Sequence, residues 1–299
     1  MSHDLRQLFR AVGRFSGQQA LTSSPPDRQD IDGAVELLDE DPGDLSGVAP
    51  APVGAWVDGI QASMILTHRA HRPVYLSYVA AGAVGNDRQP VTVREKLEIV
   101  CSHLDREWVD ELGSSVPVDE HTVESPPDVE RAALDALGGH RAALEVALAQ
   151  DLVVRLESEP RPVVVVDGSL GPRIDHMNLA GVVKTHGRKY LPDETVLYGL
   201  PAGWRSPRFK IPAGVAGGRS ERWSCYVRLS DASDHAWAHA LIRVETHRLD
   251  LLESMAARCL TEKQPSRADD ARVDRHLAPV RRCEDWLRAR RPQVYGVSG

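Results

Sequence analysis

Four cysteines, Cys101, Cys225, Cys259 and Cys283, are scattered through the 299 residues, and none stands at CxxC spacing from another. Their separation removes the usual zinc and dithiol patterns, and the thiols are expected to be reduced. Long hydrophobic runs are also missing. No stretch reaches the roughly 18 apolar residues of a membrane helix, and the opening "MSHDLRQLFRAVGRFSG" has no apolar signal-type core. A cytoplasmic location is therefore expected. Positive charge is not in excess: 36 Lys and Arg stand against 43 Asp and Glu, for a net charge of -7. Any polyanion must be met by a local basic surface, since bulk charge would repel it.

What is present suffices for a packed core: 42% of residues are hydrophobic, in a chain long enough for one large domain or two modest ones. Leu5, Leu8, Phe9, Val12 and Phe15 recur at helical spacing, which predicts an amphipathic helix over 4–20 within an N-terminal unit 1–21. Residues 22–52 mix Pro, Gly and Ser with eight acids between Asp27 and Asp44, the pattern of a solvated linker with one helical turn near "GAVELLDED". The main domain is expected over 53–292, followed by a short tail, 293–299.

Within that domain, 54–60, 62–68 and 72–85 read as strands of an antiparallel meander. Residues 94–112 and 129–158 read as helices, the second following the "ESPPD" break. "PVVVVDGSL" has four consecutive apolar β-branched residues, as in a central strand buried on both faces. Strands over 179–186, 221–230 and 239–247 and helices over 251–260 and 278–291 complete the pattern. The fold class is α/β, a mixed sheet covered by helices, with a C-terminal helical extension.

"GAWVDGIQ" and "VVVVDGSL" both carry an apolar segment into Asp-Gly. Asp and Gly form turns, which accounts for either one alone. A carboxylate at a strand end is also rigidly held at the rim of a sheet. If the two strands are neighbours, Asp58 and Asp167 come within reach of Mg²⁺ or Mn²⁺, which favour oxygen ligands. A third acid is needed to neutralise the charge, and Glu145 lies on the helix that feeds the second strand. Arg141 stands four residues before it, so an ordinary surface ion pair is the competing reading. Lys184, His186 and Tyr190 follow another strand in "GVVKTHGRKYL", where an ammonium can neutralise a phosphate. Arg205, Arg208, Lys210, Arg219 and Arg222, interleaved with Trp and Phe, suggest a loop that tracks DNA phosphates while an aromatic stacks on a base. Arg281, Arg282, Arg288, Arg290 and Arg291 fit a solvated helix end.

The ordered set "WVDGIQ", "RAALE", "VVVVDGSL", "GVVKTHGRKYL", "YVRLS" and "ALIRVE" resembles the NurA nuclease family over roughly residues 50–290. The resemblance implies a ribonuclease H-like core, a metal-dependent deoxyribonuclease working with a HerA-type hexameric ATPase, and a homodimer. Carried over residue by residue, it implies Asp58, Glu145 and Asp167 as ligands of Mg²⁺ or Mn²⁺, with Lys184 beside them. The same helix offers Glu130 and Asp135 as alternatives to Glu145. Tyr226 and Arg243 fall in the later strand motifs. His276 is the C-terminal histidine nearest to one that archaeal members use, but its surroundings do not match, and it reads as a surface or interface residue. The implied roles are DNA end processing or defence against phage. A degenerate nuclease fold serving as an ATPase adaptor is the non-enzymatic alternative. Hydrolysis of a sugar by a carboxylate pair leaves Lys184 and the basic loop without a role.

Overall fold

Residues 53–102 form an antiparallel meander of three long strands in the computed structural model of the chain. The structure describes residues 35–156, 161–170, 176–186, 190–214, 220–232, 236–264 and 276–292. The helix predicted over 4–20 and the tail 293–299 lie outside them. Two short strands, β1 (Glu36–Leu37) and β2 (Gly43–Asp44), precede the meander strands β3 (Val53–Arg69), β4 (Arg72–Val84) and β5 (Pro90–Ser102). A short helix, α1 (Arg106–Glu111), and the strand β6 (Val118–His121) lead to the long helix α2 (Pro126–Arg155). The chain continues through β7 (Val163–Asp167), β8 (Leu179–Val183), a single helical turn α3 (Thr195–Tyr198), β9 (Trp204–Arg205), β10 (Phe209–Ile211), β11 (Arg222–Arg228) and β12 (Leu241–Thr246). Helices α4 (Leu249–Thr261) and α5 (Ala278–Arg290) follow.

The twelve strands among the described residues join one mixed sheet, whose main path runs β1-β10-β11-β12-β8-β7-β3-β4-β5-β6. β7 pairs in parallel with both β3 and β8, while β4 runs antiparallel to β3 and β5. Strand alternation divides the core. Trp56, Ile60, Val163, Val165, Ala180 and Val182 face α4 and α5, together with Met255, Val280, Cys283 and Leu287. Ala55, Val57, Val164 and Val166 face Leu148, Ala149 and Leu152 of α2. The expected α/β sheet flanked by helices is what the chain forms.

Helix α2 has clear local causes. Ser125 caps it, its hydroxyl accepting from the Asp128 N–H, and Pro126 and Pro127 occupy the first turn, where their missing N–H groups cost nothing. Arg155 in the last turn complements the helix dipole.

Three expectations are corrected. Residues 94–102 are not helical, because the strand β5 runs on to Ser102 in register with β4. "REKLEIV" satisfies helical spacing and strand alternation alike, and the long unpaired edge of β4 decides in favour of the strand. The segments 54–60 and 62–68 are one continuous strand. The predicted linker also contributes to the sheet: Glu36 pairs with Lys210 and Gly43 with Arg205, so 36–37 are a strand where a helical turn was expected.

Candidate functional site

Asp58 and Asp167 meet because β3 and β7 are parallel neighbours with Val57 opposite Val166, which puts the two aspartates side by side at the next position. Both belong to the face that carries Trp56 and Val165, the face covered by α5. Gly82 of β4, the cross-strand partner of Asp58, lies directly beneath Trp286 and Leu287 of that helix.

The two Asp-Gly pairs differ in structure. Asp167 ends β7, and Gly168 takes a φ of 127°, a backbone state open mainly to glycine, so the chain turns back over β8. Gly181 on β8 makes room for that turn, since a Cβ there would come within 2.6 Å of the Gly168 carbonyl oxygen. Asp58, by contrast, is not at a strand end as expected, because pairing with β4 carries β3 eleven residues beyond it. Gly59 serves another purpose. Glu145 and Arg141, descending from α2, occupy the space its side chain would need: a Cβ would lie 2.9 Å from Arg141 Cγ and 3.0 Å from Glu145 Cδ. The acid therefore approaches β3 next to Asp58 from the opposite face.

Charge in this cluster is unbalanced. Asp58 is 6% exposed, and burial first, then the like charge of Asp167, hold its carboxyl well above the usual range. Lys184 and the Gly59 N–H, which donates to Asp58 Oδ1 at 2.7 Å, oppose this only in part, and Glu145 adds to it. Burial pushes the Glu145 carboxyl up to about 7, with Arg141 opposing and Asp167 adding. The Arg141 Nε to Glu145 Oε1 separation is 3.8 Å, so the expected ion pair exists, on a largely buried carboxylate. Lys184 Nζ lies 2.7 Å from Asp167 Oδ2. His276, read from the sequence as a surface residue, is half-buried and feels both Lys184 and Asp167; burial and then Lys184 lower its pKa. Cys283 of α5 sits beside Asp58, its thiol raised by burial and then by that carboxylate. Asp58, Asp167 and Glu145 thus approach one another with Lys184 and Arg141 as their counter-charges; they offer the oxygen donors a hard divalent cation takes, but as the side chains stand their oxygens do not all lie within 4.8 Å of one another.

The remaining predicted residues fall elsewhere. Arg222 is almost wholly buried, its guanidinium donating to the Leu170 carbonyl at 2.7 Å and to Ser169 Oγ at 3.2 Å. Glu245 of β12 accepts from Ser169 Oγ at 2.8 Å and from the Leu170 N–H at 2.9 Å, and pairs with Arg243. Arg243 stacks over Tyr190, 4.1 Å from its ring centre, and Tyr226 is buried against Phe209. These groups fix the turn that follows Asp167. Arg205 is buried between Asp39 and Glu253, Arg208 pairs with Asp39, and Lys210 pairs with Glu221 while lying over Trp223. The alternation of basic and aromatic residues there is strand alternation, with Phe209 inside and Lys210 outside. Arg205 and Arg222 thus serve the interior instead of a phosphate-facing loop. Arg219 lies outside the described residues.

No protein-family model and no curated protein matches this chain. No helix among the described residues is long and apolar enough to cross a membrane. Sequence reading missed a second group of ligand-type side chains, Glu98, Asp119 and His140, whose donor atoms all lie within 4.8 Å of one another. The available signal was Asp119-Glu120-His121, whose outer members share one face of a strand.

Proposed function

We propose that the protein is a metal-dependent deoxyribonuclease resembling the NurA family, with Asp58, Asp167 and Glu145 holding Mg²⁺ or Mn²⁺. The observation that carries this reading is the register of β3 and β7, which sets the buried Asp58 beside the partly buried Asp167, with Glu145 entering at Gly59. The order β5-β4-β3-β7-β8, an antiparallel meander followed by two parallel strands with α2 between them, supports a ribonuclease H-like core.

A cation bound there would supply Lewis acidity toward a phosphodiester and lower the pKa of a water. The chain's own groups supply the rest. Asp58 and Asp167, each on a rigid strand, orient the site. Lys184, hydrogen-bonded to Asp167, presents an ammonium where charge on a phosphate oxygen grows. We further propose action on DNA ends beside a HerA-like hexameric ATPase, with two copies of this chain at the mouth of the ring.

Cleavage of linear DNA by the purified protein with Mg²⁺ or Mn²⁺, alone and with a cognate ring ATPase, tests this. Activity should vanish in Asp58→Asn and in Asp167→Asn while both variants remain folded. Unchanged cleavage by either variant would overturn the assignment. A folded wild type inactive under every condition would favour an adaptor instead.

A further inference from the structure

Lys96, Glu98, Asp119 and His121 share one face of the sheet. Residues two apart on a strand point the same way, and the parallel register of β5 and β6 sets Val100 opposite Asp119. That face lies under the first half of α2, where Val100 packs on Val129 and Ala133. His140, seven residues beyond Ala133 and so on the same side of the helix, comes down onto the four polar groups.

The geometry of this group is that of a ligand set with its support. Glu98 is 1% exposed, and its Oε1 stands 2.6 Å from His140 Nδ1, so a buried carboxylate fixes the ring and turns Nε2 away from itself. Lys96 Nζ approaches the other carboxylate oxygen at 2.5 Å and balances the charge of Glu98. Nε2 of His140 then faces Asp119 Oδ2 at 3.9 Å, and Nε2 of His121 faces the same oxygen at 3.3 Å. The His121 nitrogen is sealed from water and makes no hydrogen bond to the described residues. Ligand atoms on a tetrahedral zinc ion with bonds of about 2.0–2.1 Å stand about 3.3 Å apart, so the His121 nitrogen is at ligand spacing from this carboxylate oxygen and the His140 nitrogen lies somewhat beyond it. A carboxylate on the far nitrogen of a ligating histidine is the usual outer support of such a centre.

We infer that His140 Nε2, His121 Nε2 and Asp119 form a binding site for a transition-metal dication of the zinc type, with Glu98 orienting His140. His140 and Asp119 already stand with Glu98 in one group whose donor atoms lie within 4.8 Å of one another; His121, outside that group, must turn its partly exposed ring to reach the ion. The site is separate from the Asp58 cluster. Asp58 aligns through Gly82 with Val93, and Glu98 is five residues further along β5, about 17 Å at strand rise. Its ligand types differ as well: imidazole nitrogens select zinc-like ions over Mg²⁺. Bound there, the ion joins β6, the last strand on that edge, to α2.

Full-length protein stripped with a chelator and then titrated with Zn²⁺ by calorimetry, and with Co²⁺ by visible absorption, tests the inference apart from any cleavage assay. One Zn²⁺ per chain should bind, and the Asp58→Asn/Asp167→Asn double variant should keep it. His140→Gln or His121→Gln should weaken binding by at least ~100-fold, and Glu98→Gln by about 10–100-fold. Co²⁺ in the wild type should give the intense absorption of a four-coordinate ion, a readout that does not depend on any variant folding. A weak six-coordinate spectrum, or Zn²⁺ binding unchanged in both folded histidine variants, would overturn the site.

Discussion

Glu145 occupies the space that Gly59 leaves empty, so a residue without a side chain on a central strand is what admits a carboxylate from the opposite face. Gly59→Ala is expected to displace Glu145. The Glu145 carboxylate is a flexible end that can swing aside, whereas Arg141 Cγ is near its backbone and must shift, so the stability loss should be about 1–3 kcal/mol. Metal-dependent cleavage should fall at least tenfold. Thermal unfolding and cleavage measured on the same preparation separate the two effects, and wild-type activity in Gly59→Ala would remove Glu145 from the site.

Stability of the metal-free protein should decline as pH rises. Glu145 is raised from 4.5 to about 7 and Asp58 is raised as well, so the folded state binds more protons than the unfolded state between those values. For Glu145, the favourable contribution is present below about pH 4.5 and is lost as pH passes through about 7, on the order of 1–3 kcal/mol. Denaturant unfolding in chelator at pH 5.5 and pH 8 measures the decline. Glu145→Gln should flatten it, and Mg²⁺ or Mn²⁺ at pH 8 should raise Tm in the wild type more than in the variant.

Lys184→Met removes the ammonium 2.7 Å from Asp167 while keeping most of the side-chain volume. Turnover at saturating metal should drop more than tenfold, and the midpoint of the metal titration should not rise, because no ligand oxygen is lost. A rise in the midpoint with normal turnover at high metal would instead make Lys184 an organiser of the metal ligands.

Arg222→Ala leaves Glu245 buried with one cation fewer and takes a donor from the Leu170 carbonyl. Breaking a buried pair on one side typically costs 3–5 kcal/mol, roughly. Chemical denaturation without DNA should show this loss. Arg208→Ala, whose side chain is partly exposed beside Asp39, should cost ~1 kcal/mol or less. Equal stability of the two variants would return Arg222 to the list of DNA contacts.

The sequence showed clearly those features that a single periodicity determines. Val163 to Val166, four β-branched residues between Pro162 and Asp-Gly, read as a strand buried on both faces, and α2 carried its own cap and prolines. Residues 94–102 were ambiguous because Leu97, Val100 and Cys101 suit a helix face while Leu97, Ile99 and Cys101 suit a strand face, and only pairing with β4 separates them. Asp58 and Asp167 were visible as Asp-Gly pairs, yet the reason for each glycine was not: one makes a turn, and the other leaves room for a residue 86 positions away in the chain. Arg205 and Arg222 read as exposed because charge reads as exposure in a sequence, and the acids that pair with them in the interior, Asp39, Glu253 and Glu245, are remote in the chain. The His140 cluster escaped notice because its members come from two strands and a helix.

The clamp on Ser169 and Leu170 has a consequence for how the chain can be shortened. The groups that steady the turn after Asp167 come from Arg222 and Glu245, more than fifty residues downstream. A fragment ending before β11 would keep Asp58, Glu145, Asp167 and Lys184 but lose the groups that hold the turn after Asp167, so the stretch of chain that keeps this cluster in place is longer than the span of its members.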